Sequence, residues 1–160
     1  MAKAKPAGLK EGYVAPDIRL QTDTGGVFRL WDLRGKNVVL YFYPRANTPG
    51  CTTEACEFRD ASPSLAGLDA VVVGVSPDAA GPQSKFKAKF GLPFTLLCDV
   101  DRTAAAAYGV WKEKSMYGRK VMGIERTTFL IGKDGIVRQI FPKVKAKGHA
   151  AQVLQALSAL

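Results

Sequence analysis

Two cysteines, Cys51 and Cys56, are the residues of this chain best suited to carry chemistry. Thr48 and Pro49 predict the start of a helix, because threonine is a common N-cap and proline at the first helical position loses no hydrogen bond. Cys51 then lies in the first turn, where unpaired backbone N–H groups and the positive end of the helix dipole stabilise an anion. The position therefore favours the thiolate of Cys51, which is the nucleophilic form of cysteine.

The spacing of Cys51 and Cys56 limits how the two sulfurs can react with each other. On an intact helix, five residues separate the two Cα atoms by roughly 8 to 9 Å and by about 140° around the axis. A disulfide needs Cα atoms closer than about 7 Å. A redox pair at these positions therefore requires the turn between them to unwind. The alternative is a pair of helix cysteines that never meet.

A strand and its crossover connection are predicted to position these cysteines. The apolar run Val38–Tyr43, which ends at Pro44, predicts a strand buried on both faces. A helix from about Pro49 to Ala61, ended or kinked by Pro63, then leads to a second buried strand at Asp69–Val75. Strand, helix and strand in this order predict a right-handed parallel crossover.

The remaining segments complete an α/β pattern. The chain predicts an N-terminal β-hairpin within Ile18–Leu30, helices at Gln83–Phe90, Thr103–Tyr108 and Lys147–Leu160, and strands at Phe94–Leu97, Thr127–Ile131 and Ile136–Phe141. The polar segment Lys112–Lys120 is predicted to be a loop, and residues 1 to about 10 are expected to be mobile. We therefore predict an α/β fold with a central mixed sheet flanked by helices.

Length and composition indicate a single domain. The chain has 160 residues, of which 47% are hydrophobic, and this is enough for one core over residues 1–160. The first residues carry positive charge without a following apolar segment, so we expect neither a secretory signal nor a membrane anchor. A cytoplasmic protein whose three cysteines rest as thiols is the expectation.

Charge and side-chain inventory exclude several function classes. The net charge is +9, but the lysines and arginines are dispersed and no nucleic-acid motif accompanies them, so no specific nucleic-acid binding is predicted. The only histidine, His149, stands in a basic stretch that we expect to be exposed and far from Cys51. Two neighbouring cysteines and one distant histidine fall short of a zinc site, and no phosphate-binding glycine loop is present. We predict no metal and no organic cofactor.

The residues around Cys51 resemble a known family. Pro44, Thr48 and Cys51 form the pattern P-x-x-x-T-x-x-C, which is similar to the active-site signature of the peroxiredoxins. The longer string YFYPRANTPGCTTEACEFRD resembles the subfamily called bacterioferritin comigratory protein or peroxiredoxin Q. The resemblance covers nearly the whole chain, through the segments Gly74–Asp78, Phe94–Asp99, Tyr108–Gly118 and Glu125–Ile131.

The resemblance implies a thioredoxin-like fold and a thiol peroxidase. It assigns Cys51 as the peroxidatic cysteine, with the Thr48 hydroxyl and the Cys51 N–H facing the peroxide, Pro44 shielding the sulfur and Arg126 supplying a guanidinium. The resemblance also implies that hydrogen peroxide or an alkyl hydroperoxide would oxidise Cys51 to a sulfenic acid. Cys56 is then expected to form an intramolecular disulfide with Cys51, which thioredoxin would reduce. The subfamily resemblance also implies a monomer.

Several residues have simpler interpretations that the sequence leaves open. Thr48 can be only a helix cap, Pro44 can merely end the strand, and Arg126 can be an exposed strand residue. Glu54 can serve the helix dipole or hold an active-site arginine. Cys98 ends an apolar run and is interpreted as a buried small side chain.

Two other functions remain to be separated from a peroxidase. One is a thioredoxin-like disulfide oxidoreductase without peroxidase activity, although such proteins normally carry C-x-x-C rather than the C-x4-C of this chain. The other is a basic binding or chaperone module in which the cysteines are incidental. Peroxide consumption coupled to thioredoxin separates these classes.

Overall fold

A seven-stranded mixed sheet forms the centre of the molecule. The computed structural model describes residues 9–160, apart from the side chain of Met116. The strands are β1 (Arg19–Thr22), β2 (Val27–Arg29), β3 (Asn37–Phe42), β4 (Ala70–Ser76), β5 (Thr95–Cys98), β6 (Trp111–Met116), β7 (Arg119–Ile124), β8 (Thr127–Ile131) and β9 (Val137–Phe141). The helices are a 3-10 turn at Leu30–Leu33 and α1 (Pro49–Ala66), α2 (Ala80–Phe90), α3 (Thr103–Ala107) and α4 (His149–Ser158). The order in the large sheet is β2-β1-β5-β4-β3-β8-β9, and β6 pairs with β7 in a separate two-stranded sheet.

Strand β3 lies in the interior of the sheet and leads directly to the cysteines. It pairs in parallel with β4 on one side and antiparallel with β8 on the other, so that Val39 faces both Val72 and Leu130. Helix α1 connects β3 to β4 and completes the predicted parallel crossover. The run from Val38 to Tyr43 is buried throughout, which confirms the predicted strand with two covered faces. The carboxyl end of a central strand therefore delivers the chain to the start of α1.

Two apolar clusters cover the two faces of the sheet. On one face, Phe58 of α1, Phe86 of α2 and Val153 of α4 belong to the same buried cluster. On the other face, Ala105 of α3 and Tyr108 pack in a second cluster with Ala15 and Ile18, which precede β1. Helices therefore lie on both sides of a mixed sheet, and the predicted α/β, thioredoxin-like architecture is confirmed.

The predicted N-terminal hairpin is also confirmed. Strands β1 and β2 pair antiparallel around Gly25, whose φ of +94° suits a residue without a side chain. Strand β1 also pairs antiparallel with β5, where Gln21 faces Cys98. The hairpin thus extends one edge of the sheet and covers the strand that carries Cys98.

The prediction that Lys112–Lys120 is a loop was wrong. This segment forms most of the antiparallel hairpin β6–β7, in which Trp111 pairs with Ile124 and Met116 with Arg119. The turn residues Tyr117 and Gly118 have φ values of +54° and +77°, the left-handed conformation that tight hairpin turns require. Because most residues of this hairpin are exposed, its sequence lacks the apolar alternation that would have predicted two strands.

Helix α1 is longer than predicted, because Pro63 does not end it. The helix continues to Ala66, and Leu65 beyond the proline is buried in the same cluster as Phe58. Burial on both sides of Pro63 keeps the two parts of the helix in line, although proline removes one helical hydrogen bond. In the half of α1 that carries the cysteines, Pro49 at the first position is the only proline, so no helical hydrogen bond is lost to a proline there.

The expectation that His149 is exposed was wrong. Only 1% of its surface is accessible, and its ring lies edge-on to Phe58 and Phe141. Nε2 is 2.8 Å from the Thr128 hydroxyl, and Nδ1 is 3.2 Å from the Gln152 side chain. The basic residues before His149 suggested exposure, but the first turn of α4 places the imidazole in the core.

Three other predictions concern the start of the chain, the number of domains and the crossing of a membrane. The expected mobility of residues 1 to about 10 falls mostly on residues 1–8, which lie outside the described residues. A single domain over residues 1–160 stays a prediction. Among residues 9–160, no helix combines the length and the apolar character that crossing a membrane requires.

His149 makes the stability of the fold pH-dependent. Burial lowers the pKa of His149, the charge of Arg126 lowers it further, and Gln152 and Glu57 offset these effects only in part. The unfolded chain therefore binds a proton more readily than the folded chain. We expect the contribution of His149 to the free energy of unfolding to be fully retained above about pH 6.5 and to fall as the pH is lowered below that value.

Urea denaturation of the reduced protein at pH 7.5 and pH 5.5 measures this effect. His149→Gln removes the titrating group, so the difference in stability between the wild type and the variant should shrink at the lower pH. An equal difference at both pH values would show that His149 does not bind its proton differently in the folded and unfolded states.

Candidate active site

Cys51 lies in the first turn of α1, as predicted, and its side chain is buried. The helix begins at Pro49 with Thr48 at the N-cap position, and Cys51 is the third helical residue. Only 1% of Cys51 is exposed. The N–H groups of Gly50 and Cys51 have no helical carbonyl to bond, because they precede the first complete turn. The sulfur therefore lies at a helix end that favours negative charge.

Arg126 brings a guanidinium to the same sulfur. It immediately precedes β8, the antiparallel neighbour of β3, and its Nη2 lies 3.3 Å from Cys51 Sγ. Its Nη1 donates to Glu54 Oε1 at 2.8 Å. Burial works to lower the pKa of Arg126, but the charges of Glu54 and Cys51 outweigh it and raise the pKa. Arg126 therefore stays cationic beside Cys51 and is not the exposed strand residue of the simpler interpretation.

Glu54 contacts Arg126, as in the interpretation that it holds an arginine rather than serving only the helix dipole. It lies on α1 one turn after Gly50 and is 1% exposed. Its Oε2 has no hydrogen-bond partner among the described residues, and neither has the hydroxyl of buried Tyr41. Burial raises the pKa of Glu54 to about 7, although Arg126 opposes this rise. The carboxyl group therefore gains a proton near neutral pH more readily than an exposed glutamate does.

Thr48 stands at the predicted N-cap, but its hydroxyl does not cap the helix. The hydroxyl donates to the carbonyl of Arg45 at 2.9 Å, and no side chain caps the first turn. Its proton is therefore used within the loop, while its lone pairs are free to accept a hydrogen bond. The same loop is held from the other side, because the Ala46 N–H donates to Asp78 Oδ2 at 2.7 Å. Half-buried Pro44 follows buried Tyr43 and begins this loop.

The other two cysteines differ from Cys51 in their surroundings. All three are free thiols. Cys56 is partly exposed on the same continuous helix as Cys51, so the intact helix keeps their sulfurs apart. Cys98 is buried in β5, as predicted, and burial raises its pKa, together with the charges of Asp23 and Asp78. A thiol with a raised pKa is less reactive, and the structure brings Cys98 into no contact with Cys51.

Gly50 is a site residue that the sequence interpretation did not single out. A Cβ at this position would lie 3.1 Å from Arg126 Nη2, which is closer than ordinary packing allows. The backbone of Gly50 does not have the left-handed conformation that glycine favours, so its value lies in the missing side chain. Gly50 therefore gives the guanidinium room beside the sulfur. In the sequence, the only indication of its role was its place between Pro49 and Cys51. The reason for a glycine there becomes visible only from the position of Arg126 in the structure.

Comparison with known proteins gives a consistent result. Residues 12–140 match the AhpC/TSA family. The chain is similar to Peroxiredoxin Bcp of Bacillus subtilis, with 53% identity over 93% of this chain and 95% of the relative. It is similar to Peroxiredoxin Bcp of Escherichia coli K12, with 43% identity over 91% and 94% of the two chains.

A solved structure has the same architecture. It is the bacterioferritin comigratory protein of Xanthomonas campestris, described for its alkyl peroxide reduction activity, which has 41% identity. Its TM-score is 0.88, over 96% of this chain and 98% of that one.

Gly50→Ala tests the close approach of Arg126 to Cys51. The added methyl group should displace the guanidinium by a few tenths of an ångström, whereas alanine itself suits a helix better than glycine does. We expect alkylation of Cys51 by iodoacetamide at pH 7 to slow roughly 3- to 10-fold, with no loss of thermal stability. Gly81→Ala is the matched control, because a Cβ there on α2 meets nothing within 4 Å. Equal alkylation rates in both variants would contradict this role of Gly50.

Arg126→Met tests the buried ion pair. Without Arg126, the pKa of Glu54 should rise further, so Glu54 stays protonated below about pH 7 and becomes an unpaired buried charge only at higher pH. The loss in free energy of unfolding should therefore be small at pH 6 and reach about 3 kcal/mol at pH 9.

Denaturation of the reduced wild type and variants by guanidinium chloride at pH 6 and pH 9 measures these differences in the free energy of unfolding. The double variant Arg126→Met/Glu54→Gln lacks the titrating carboxyl group. At pH 9, the double variant should therefore lose less free energy of unfolding, relative to wild type, than Arg126→Met loses. A pH-independent loss in Arg126→Met would mean that Glu54 does not depend on Arg126.

Proposed function

Because the chain belongs to the AhpC/TSA family, as a peroxiredoxin of the Bcp and peroxiredoxin Q group, we propose that it reduces hydrogen peroxide and organic hydroperoxides through Cys51. The observation that carries the proposal is the Arg126 guanidinium 3.3 Å from Cys51 Sγ, at an uncapped helix start. A cation and free N–H groups beside a buried sulfur favour the reactive thiolate.

In the first step, the Cys51 thiolate attacks the terminal oxygen of the peroxide. The S–O bond forms as the O–O bond breaks, and the departing oxygen leaves as hydroxide or alkoxide and takes a proton. Positive groups near the sulfur stabilise both the thiolate and the charge that develops on the departing oxygen. The Cys51 N–H and Arg126 are suited to this stabilisation, and the lone pairs of Thr48 can accept a hydrogen bond from the peroxide. Pro44, at the start of the loop, shields the sulfur from water.

In the second step, Cys56 attacks the sulfenic acid on Cys51 and releases water. This step needs the first turns of α1 to unwind, because a continuous helix holds the two Cα atoms too far apart for a disulfide. Oxidation itself favours the unwinding. A neutral sulfenic acid is attracted to Arg126 less strongly than a thiolate is, so one of the contacts that hold Cys51 in place weakens.

The product is a disulfide between Cys51 and Cys56, which requires an external dithiol for reduction. We propose thioredoxin as this reductant, acting by thiol–disulfide exchange. Cys56 is partly exposed even in the reduced protein, which gives an attacking thiol a sulfur to approach. The monomeric state and the cytoplasmic location stay predictions from the sequence.

Peroxide consumption coupled to thioredoxin and its reductase tests this function. Cys51→Ser should lose turnover, whereas Cys56→Ser should consume about one peroxide per chain and then stop. Cys98→Ser is the control and should retain wild-type turnover, because Cys98 lies buried in β5 away from Cys51.

Peptide mapping of the oxidised wild type should find Cys51 linked to Cys56. Full activity in Cys51→Ser would refute the proposal. Reduction of disulfide substrates without consumption of peroxide would instead favour the disulfide oxidoreductase.

A further inference from the structure

Lys114 lies against the backbone segment that leads to Arg126, and the mechanism proposed above does not use it. It belongs to β6 and is half-buried, and its Nζ donates to the carbonyl of Ile124. Ile124 ends β7, two residues before Arg126, whose guanidinium contacts Cys51. The ammonium group therefore holds the backbone at the point where the chain turns toward the candidate active site.

Gly123 gives the Lys114 side chain its path. In the β6–β7 register, Lys112 faces Gly123 and Lys114 faces Val121, so these side chains lie on one face of the hairpin. A Cβ at Gly123 would lie 3.3 Å from Lys114 Cδ and 3.4 Å from Cε. The φ of Gly123 is not in the left-handed region, so the backbone does not require glycine here. A glycine at this position instead leaves room for the Lys114 side chain, which passes over it.

The charges around Lys114 connect it to Cys51. Burial lowers the pKa of Lys114 and Arg126 lowers it further, whereas Glu125 and Cys51 raise it. The charge of Cys51 is the smallest of these effects, and the structural link between the two residues is the Ile124 carbonyl, which lies two residues before the arginine that contacts Cys51. The neighbouring Lys112 is exposed, and its Nζ pairs with Glu125 at 3.0 Å. Lys114, in contrast, has no carboxylate within salt-bridge distance among the described residues.

A second positive charge has a physical use at this site. Arg126 is shared, because one nitrogen of its guanidinium contacts the Glu54 carboxylate and the other contacts Cys51. When Glu54 is ionised, its negative charge opposes the thiolate and offsets part of the benefit of Arg126. Another cation within range restores a net positive environment without a further side chain on the sulfur itself.

We propose that Lys114 is a positioning residue of the candidate active site, which fixes the Ile124 carbonyl ahead of Arg126 and adds a second charge that favours the Cys51 thiolate. The proposal deepens the proposed function and rests on Cys51 being its nucleophile. The other titratable and charged groups that face Lys114 or Cys51 come from three neighbouring parts of the fold. They are Arg126 and Glu125 between β7 and β8, Glu54 on α1, and Tyr41 and Tyr43 on and just after β3.

The pH dependence of Cys51 alkylation tests the proposal without requiring peroxidase turnover. The reduced full-length chain reacts with iodoacetamide between pH 5 and pH 10, and mass spectrometry of the Cys51 peptide follows the rate. Lys114→Met keeps the length of the side chain and removes its charge, and should move the midpoint upward by roughly 0.5 to 1 pH unit. Lys114→Arg keeps the positive charge, so its midpoint should lie close to that of wild type. Lys112→Met is the matched control from the same face of the hairpin, and its midpoint should stay close to that of wild type.

Gly123→Ala keeps the charge but displaces the lysine, so its midpoint should move upward by a smaller amount. This variant also provides the answer if circular dichroism shows that Lys114→Met does not fold. A wild-type midpoint in Lys114→Met, or an equal shift in Lys112→Met, would overturn the proposal. Peroxide turnover is measured separately on the wild type. An inactive wild type with the expected alkylation shift would contradict the proposed function but not the role of Lys114.

Discussion

The candidate active site depends on one buried ion pair between two distant parts of the chain. Arg126 precedes a strand in the middle of the sheet, and Glu54 lies on the helix that follows the neighbouring strand. Their contact holds the first turns of α1 against the sheet at the point where the helix carries Cys51. Because Glu54 is fully buried and Arg126 largely so, removing their charges from water is costly, and the contact is maintained by the packing around it rather than adding much stability of its own. Its main consequence is to place a guanidinium, in a defined orientation, beside a sulfur.

The same helix must satisfy two opposing requirements if the proposed reaction is correct. A folded first turn is needed for the free N–H groups that favour the thiolate. An unfolded first turn is needed for the bond between Cys51 and Cys56. The local sequence is suited to a small difference in free energy between these states, since no side chain caps the start of α1 and Gly50 favours the unfolded chain. Oxidation of Cys51 can then shift the balance by weakening its attraction to Arg126.

The sequence predicted the part of the site that depends on local structure. The apolar run of β3, the Thr48-Pro49 helix start and the place of Cys51 in the first turn follow from short-range patterns, and the structure confirms each of them. Contacts between segments distant in sequence were harder to predict. The approach of Arg126 to Gly50 joins residues far apart in the chain, and only the antiparallel pairing of β3 with β8 produces it.

Exposure was misjudged where charge was taken as its sign. His149 follows lysines yet is buried, because the amphipathic face of α4 begins at its first residue. The β6–β7 hairpin is polar yet ordered as strands, since its backbone bonds and the Tyr117-Gly118 turn suffice without an apolar face. In the hairpin, the polar side chains correctly indicated exposure but not the strand conformation. In α4, the helix itself was predicted, and only the burial of its first side chain was missed.

If α1 unwinds as proposed, the helix that packs beside it limits how far the unwinding can extend. Glu57 directly follows Cys56, and both of its carboxylate oxygens accept the Gly148 N–H at the start of α4, at 3.0 Å. Phe58 is fully buried and lies against the ring of His149. Unwinding that passed these residues would expose Phe58 and leave the start of α4 without its carboxylate, at a cost of several kcal/mol. Unwinding that stops at Cys56 gives up mainly the contacts of Cys51, Glu54 and Ala55, and it already frees both sulfurs. The position of Cys56 just before this boundary would therefore let the proposed disulfide form within the helix without undocking α4.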